Sequence, residues 1–88
     1  MSNITTQFLD KENKFAIGKN IKTNDYILSI PVANQLTDYL EYYRLTLEQY
    51  NEFLDQPVKA LPFVEKCRNR ELDELLILKP GKDRGVPI

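Results

Sequence analysis

The sequence contains no histidine, no tryptophan and only one cysteine, Cys67. Without histidine, the chain lacks the commonest general base and the commonest metal ligand. A single cysteine cannot form an internal disulfide, and without a histidine partner it does not form the usual nucleophilic pair. Oxygen ligands for a cation would require a loop of alternating acids, which the sequence also lacks. These absences predict a protein with no enzymatic site, no metal and no cofactor.

Long apolar runs are also missing. None approaches the roughly 18 residues that a membrane span requires. Residues 1–6 have neither the basic start nor the apolar centre of a signal peptide. We therefore expect a cytoplasmic protein that does not contact a membrane. A length of 88 residues predicts one domain, residues 1–88.

The net charge is close to zero, but the charges are unevenly distributed along the chain. Residues 38–56 carry five acids against Arg44 alone, a net charge of −4. Residues 1–37 carry four lysines against three acids, and residues 57–88 carry seven bases against five acids. The total of −1 argues against a strong general attraction to nucleic acid. The sequence thus has an acidic middle between mildly basic flanks.

Two short segments early in the chain predict strands. Residues 14–18 form an apolar run that ends at a turn residue. Residues 26–30 are rich in aromatic and β-branched side chains and follow the turn-prone residues 23–25. Pro31 cannot donate a ladder hydrogen bond, so we expect it at the strand end or on an edge.

Residues 38–45 are compatible with two structures. As a strand, one face carries Tyr39, Glu41, Tyr43 and Leu45, and the other carries Leu40, Tyr42 and Arg44. As a helix, an acceptable apolar stripe is formed by Leu36, Tyr39, Leu40 and Tyr43. Three tyrosines favour the strand. The capping box from Thr46 to Gln49 favours it too, because a helix that begins there needs non-helical geometry just before it.

Two helices are predicted next. The first covers residues 47–54 and ends near Gln56, because Pro57 disfavours a helical residue before it. The second begins with Pro62 in its first turn. Residues 75–78 could extend that helix or form a closing strand, and we favour a short strand, with residues 79–88 as loop. The order β-β-β-α-α-β predicts an α+β fold, a small antiparallel sheet of three to four strands with two helices packed on one face.

Side chains that could carry chemistry favour structural roles. Cys67 falls on the apolar side of its helix, which favours a buried cysteine over a reactive thiol. Glu48 and Glu52 share one helical face, but catalysis by paired carboxylates needs a cleft between them, so a solvated face is favoured.

Residues 81–85, with the sequence GKDRG, resemble a phosphate-binding loop only in composition. The Walker spacing is absent, and the segment does not join a strand to a helix. We expect a structured turn in which Asp83 pairs locally and Arg84 anchors the turn or contacts a partner.

The most informative feature is a run of tyrosines within the acidic block. Tyr39, Tyr42, Tyr43 and Tyr50 interleave with Asp38, Glu41, Glu48 and Glu52. Tyrosine is enriched at interface centres, and acids around it would steer a basic protein. The same tyrosines could instead fill a small core that lacks tryptophan, and the sequence leaves both readings open. The acids would repel a phosphate backbone, so nucleic acid is an unlikely partner.

Two segments resemble small bacterial immunity proteins of polymorphic toxin systems, of the contact-dependent inhibition and type VI secretion type. Residues 38–50 fit a pattern of an acid, Tyr-Tyr, a polar and an apolar residue, Ser/Thr and then Glu-x-Tyr. The second segment comprises residues 67–76 followed by 80–85. The resemblance covers roughly half of the chain and does not include residues 1–37.

This resemblance implies a non-catalytic cytoplasmic protein that binds and neutralises a cognate toxin. An acidic interface would suit a basic toxin, such as a nuclease domain. The alternative is a non-catalytic adaptor or regulatory module of a bacterial or phage complex, which could be a homodimer. The residues expected to contact the partner are Asp38, Tyr39, Glu41, Tyr42, Tyr43, Glu48, Glu52 and Arg84.

Overall fold

The computed structural model describes residues 3–81 and 84–88 and confirms the predicted α+β class. Five strands form one antiparallel sheet: β1 (Ile4–Asp10), β2 (Phe15–Asn20), β3 (Tyr26–Ala33), β4 (Asp38–Leu45) and β5 (Val86–Pro87). Two α-helices lie between β4 and β5: α1 (Leu47–Asp55) and α2 (Leu61–Arg68). Short 3₁₀ turns cover Pro57–Ala60 and Asp73–Leu75.

The first four strands form a meander in the order β1-β2-β3-β4. The short β5 pairs with β3 beyond the end of β2, opposite Val32 and Ala33. Side chains directly opposite one another in an antiparallel pair lie on the same face. The register Ile17–Leu28–Tyr43 therefore defines the face on which the helices pack.

The core fills the space between this face and the helices. Its largest fully buried members are Phe15, Ile17, Leu28, Ile30, Val32 and Tyr43 from the sheet and Cys67 from α2. From α1, Phe53 is buried, while Tyr50 and Leu54 pack at the margin. Leu47 lies on the same side of α1 as Tyr50 and Leu54. It is 52% exposed because it belongs to the first turn of the helix.

The capping box predicted at the start of α1 is present. Thr46 Oγ1 accepts a hydrogen bond from the Gln49 N–H at 3.0 Å, and Gln49 Oε1 accepts one from the Thr46 N–H at 2.9 Å. Two backbone donors of the first turn are thereby satisfied. Thr46 itself has extended backbone geometry, so β4 and α1 can follow one another directly.

Several element predictions are corrected. The sequence suggested no element for residues 4–10, which form β1, and the loop expected over residues 79–88 contains β5. The strand expected at residues 75–78 is reduced to a single bridge between Leu76 and Tyr43, because Asp73–Leu75 form a 3₁₀ turn. The local pairing expected for Asp83 lies outside the described residues.

Pro31 lies within β3 and does not end it. Its carbonyl points away from β4 and accepts from the Ile88 N–H at 3.2 Å. The donor that proline lacks would have pointed the same way, past the end of β2. The β3–β4 ladder therefore continues unbroken to Ala33.

The C-terminus of α2 is a Schellman motif with a non-glycine residue at its left-handed position. The Glu71 N–H donates to the Lys66 carbonyl and the Arg70 N–H to the Cys67 carbonyl. Arg70 has φ 62°, a conformation that normally favours glycine. An arginine at this position costs backbone free energy, so its side chain must return more stabilisation than glycine would.

Gly18 allows β1 to fold back over the second face of the sheet. A Cβ atom at this position would lie 2.6 Å from the carbonyl oxygen of Thr5, closer than side chains approach backbone. The register of β1 against β2 slips nearby, between Thr6 and Phe8. A bulge of this kind bends its strand and increases the local twist. Together the glycine and the bulge curl β1 towards the face that carries no helix.

We expect Gly18→Ala to destabilise the fold by roughly 1–3 kcal/mol, because the new methyl group meets Thr5 backbone that cannot move away cheaply. Gly81→Ala is the matched control, since nothing lies within 4 Å of the Cβ position there. Its effect should stay within about 0.5 kcal/mol. Urea unfolding followed by circular dichroism measures both. Equal stability of the two variants would contradict the close approach of β1.

Candidate binding site

Strand alternation divides the residues that the sequence grouped as one partner-binding site. Tyr43 and Glu41 point towards the helices and are 0% and 6% exposed. Tyr42 lies on the opposite face, and Asp38 is exposed at the start of β4. The predicted faces of residues 38–45 are thus confirmed. The burial of Glu41 and Tyr43 removes both from the predicted contact surface.

The Glu41 carboxylate is the centre of a buried ion-pair cluster. Arg70 Nη1 donates to Glu41 Oε1 at 2.7 Å, and Arg84 Nε donates to Glu41 Oε2 at 2.8 Å. The Tyr43 hydroxyl lies 3.1 Å from Glu41 Oε1 and 3.3 Å from the Cys67 carbonyl oxygen. Its single proton favours the carboxylate, because hydrogen bonds to a charged acceptor are stronger. The ion pair between Arg70 and Glu41 also explains why an arginine occupies the left-handed position after α2.

Arg84 also binds Asp73, which makes the cluster electrically neutral. The guanidinium donates to both Asp73 oxygens, at 2.8 and 2.9 Å. This bidentate pair lowers the pKa of Asp73 below its usual value of 3.8. The hydrogen bonds to Asp73 and Glu41 also raise the pKa of Arg84, so it stays charged. Arg84 therefore anchors the chain internally, which was one of its two predicted roles.

Burial also determines the chemistry of the two neighbouring groups. It raises the pKa of the Cys67 thiol to about 12, and the nearby Glu41 charge adds to the effect. It likewise raises the pKa of Tyr43. Cys67 is fully buried, which confirms the structural cysteine. A thiol with so high a pKa is a poor nucleophile at neutral pH.

The segment after Arg84 is held on the sheet by the same cluster. The Gly85 N–H donates to the Tyr39 hydroxyl at 2.7 Å, and the Gly85 carbonyl accepts from Arg70 Nη2. Gly85 packs so closely against Ala33 backbone that no side chain fits there. Tyr39, expected as a partner contact, is half-buried and serves this internal attachment.

In the part of the chain that the structure describes, no helix covers the second face of the sheet, which forms an open trough. One row of paired residues crosses all four long strands: Leu9, Ala16, Ser29 and Tyr42. The outer strands contribute the large side chains and the inner strands the small ones, so the row has high walls and a low floor. The trough has a volume of about 610 Å³.

The trough is apolar where a solvated sheet face would be polar. Leu9 is 57% exposed and Leu40 is 47% exposed, and both line it together with Ala16, Pro31 and Tyr42. An antiparallel sheet with one face in water normally alternates apolar and polar side chains. Contiguous exposed apolar residues on a small protein mark an interaction surface. Tyr42 is the member of the predicted site that belongs to it.

The β1–β2 turn places charge at one end of the trough. Lys11 and Lys14 line this end and are exposed. Asp10 lies beside them, and its two carboxylate oxygens accept from Asn13, which lowers the pKa of Asp10. Among the described residues neither lysine forms an ion pair, so two ammonium groups and the Asp10 carboxylate line this end of the trough, a net charge of +1.

The acids of α1 lie on the other side of the molecule. Glu48 and Glu52 are exposed on the helical layer, and Glu52 lies 3.9 Å from Lys59 Nζ. They do not share a surface with Tyr42, because α1 packs on the opposite face of the sheet. The sequence revealed the acids but could not show their separation from the tyrosine.

Two further classes of site were sought in the part of the chain that the structure describes. No group of three or more cysteine, aspartate or glutamate side chains is arranged to hold a metal ion. No helix there has both the length and the apolar character needed to span a membrane. Comparisons with protein-family models, curated proteins and solved structures gave no match for this chain. The resemblance of residues 38–85 to immunity proteins therefore stays a prediction.

Glu41→Gln should destabilise the protein by roughly 3 kcal/mol, because it removes the buried carboxylate that two partly buried arginines share as a counter-charge. Glu48→Gln removes an exposed charge and should change the free energy of unfolding by no more than about 0.5 kcal/mol. Chemical denaturation at pH 7 gives both values. A Glu41 variant as stable as the Glu48 variant would show that the cluster does not stabilise the fold.

Asp73 gives the cluster a defined pH dependence. Its pKa is lower in the folded chain than in the unfolded chain, so its contribution to stability is present above pH 3.8 and is lost as the pH falls through the folded pKa. The stability difference between the natural chain and Asp73→Asn should therefore be largest near neutral pH and disappear in acid. Denaturation curves at several pH values measure it. A difference that grew on acidification would have the wrong sign for this ion pair.

Proposed function

We propose that this chain is a non-catalytic immunity protein that binds and neutralises a protein toxin in the cytoplasm. The observation that carries the proposal is the apolar trough on the sheet face that no helix covers. A surface of this kind is stabilised when a partner removes Leu9, Leu40 and Tyr42 from water. The resemblance of residues 38–85 to immunity proteins supplies the class of partner.

The trough has the composition of an interface centre. Tyr42 adds a large, rigid side chain with a polar tip, which suits a contact made and broken in water. Leu9 and Leu40 flank it on the outer strands. The backbone of the strands that carry these side chains is fixed by the sheet ladder, so the chain would lose little conformational freedom on binding. Binding here would cover the partner's surface without any reaction.

The charge pattern revises the expected partner. Glu41 is neutralised inside the protein, and the acids of α1 do not border the trough. The preference for a basic toxin therefore receives support only from the exposed acids of α1, through long-range steering. Arg70 and Arg84, two of the seven bases in residues 57–88, are both paired with carboxylates. This pairing weakens the case for nucleic acid further.

The proposal predicts that the gene beside this one encodes a secreted protein, and it is tested with the C-terminal domain of that protein. Co-expression of the chain should allow growth of bacteria that produce this domain, and the two should form a stable complex. The variant Leu40→Asp/Tyr42→Ala should lose protection and bind at least about 100-fold more weakly, as expected for residues at an interface centre. Calorimetry measures the affinity.

The matched control is Glu48→Gln/Glu52→Gln, which changes two exposed acids away from the trough. Its affinity should stay within about threefold of the natural chain, because exposed charges contribute little. Thermal unfolding confirms that both variants fold. If the α1 variant lost binding and the trough variant kept it, the binding site would be on α1. A neighbouring domain that is harmless, or that kills despite the chain, would contradict the immunity function.

A further inference from the structure

We propose that the segment of the partner that fills the trough is an amphipathic α-helix with acidic residues at one end. This inference rests on the proposed binding function and adds the chemistry of the partner. It follows from three features of the molecule. Both sheet edges are interrupted, the backbone groups across the face are already hydrogen-bonded within the sheet, and the trough has a particular shape and charge.

Neither edge of the sheet can accept an added strand along its length. On the β4 edge, the Tyr42 carbonyl already accepts from the Ile77 N–H at 3.0 Å, and Leu76 forms a bridge with Tyr43. On the β1 edge, the bulge between Thr6 and Phe8 breaks the regular spacing of backbone groups. Bulges protect edges against strand pairing. These interruptions favour approach to the face over strand pairing at an edge.

The face itself offers no backbone partners. The ladders of β2 and β3 use the backbone groups on both sides of each strand. An extended segment laid over the apolar trough would bury its own N–H and C=O groups unpaired, at a cost of roughly 1–3 kcal/mol for each group. An α-helix satisfies its backbone internally and avoids this cost. The saturated face thus selects a helix over an extended peptide.

The shape of the trough fits one helix. β1 and β4 are three strand spacings apart, about 14 Å, which leaves room for a helix of roughly 10 Å diameter between the side chains of the two walls. Ala16 and Ser29 keep the floor low, and β1 curls over one side at Gly18. A flat second sheet would fit this curved surface poorly.

The size of the trough fits one segment of a partner. Four strands over about 20 Å of length offer roughly 400 Å², about half of the roughly 800 Å² per partner in a typical stable complex, so the trough takes one element of the partner and not its whole interface. Charge gives the helix its orientation. Lys11 and Lys14 at the β1–β2 turn favour acidic side chains and the negative C-terminal end of a helix dipole.

The test uses synthetic peptides of about 14 residues, long enough for roughly 20 Å of helix, with leucines at i, i+3, i+4 and i+7. One peptide ends in glutamates, a second ends in lysines, and a third is the glutamate peptide with a central proline. Titration into the ¹⁵N-labelled chain gives affinities and maps the site by amide shifts. Shifts should centre on Ala16, Ser29 and Tyr42.

The glutamate peptide should bind about fivefold more tightly than the lysine peptide and at least about tenfold more tightly than the proline peptide. Lys11→Glu/Lys14→Glu should reverse the preference between the first two. Equal affinities for all three peptides, or shifts centred on α1, would overturn the inference. A concentration-dependent dimer in sedimentation, abolished by filling the trough, would assign it to a second copy instead.

Filling the trough provides the matched variants. Ala16→Leu or Ser29→Leu places a large side chain on the floor and should abolish peptide binding. Thr5→Leu adds the same side chain to β1 on the helix side of the sheet and should leave binding unchanged. Using two filling variants keeps the test valid if one fails to fold.

The same variants separate this inference from the proposed function. If the natural chain neutralises the toxin domain but Ala16→Leu and Ser29→Leu do so equally well, the helix in the trough is refuted while the immunity function stands. If the acidic helix binds the trough but the chain gives no protection against the toxin domain, the proposed function alone fails.

Discussion

The buried Glu41 carboxylate holds three parts of the chain together. It lies on β4 under the helices, and its hydrogen-bond partners are Arg70 after α2 and Arg84 before β5. An unpaired carboxylate at this depth would cost several kcal/mol, so the fold is stable only when both arginines are in place. Two otherwise unfavourable features follow from this requirement. Arg70 takes a left-handed backbone conformation, and the segment from Gly85 onward lies against Ala33.

The same arrangement separates stability from binding. On β4, the alternation of side chains directs Glu41 and Tyr43 inward and Leu40 and Tyr42 outward. The inward set, with Arg84, ties the C-terminal segment to the sheet. The outward set faces a trough whose floor is made of small residues. Substitutions on one face therefore change a different property from those on the other.

Much of the fold follows from local patterns in the sequence. The alternation on residues 38–45, the Thr46 capping box and the prolines after α1 each have a local physical cause, and each predicts its element correctly. β5 has no such pattern, because its two residues pair only through the anchoring of Arg84 and Gly85. β1 joins the sheet at the edge with mixed exposure, so its periodicity is weak.

The candidate site was harder to predict, because it depends on how the strands align and on residues that are distant in the sequence. Acids and tyrosines were visible as one block, but the neutralisation of Glu41 depends on arginines 29 and 43 residues further along the chain. The row from Leu9 to Tyr42 exists only once four strands are aligned. Small residues such as Ala16 and Ser29 give no signal of a trough floor when they are read in isolation.

Because these ion pairs join distant parts of the chain, we expect them to form late in folding. The hairpins from β1 to β4 close short loops, which form quickly. The contact between Glu41 and Arg84 closes a loop of 43 residues and comes later, because longer loops cost more entropy to close. Until then, water must solvate the Glu41 carboxylate, which is buried in the folded protein. The helix-side core therefore completes its packing last around Glu41, at the place that later holds the molecule together.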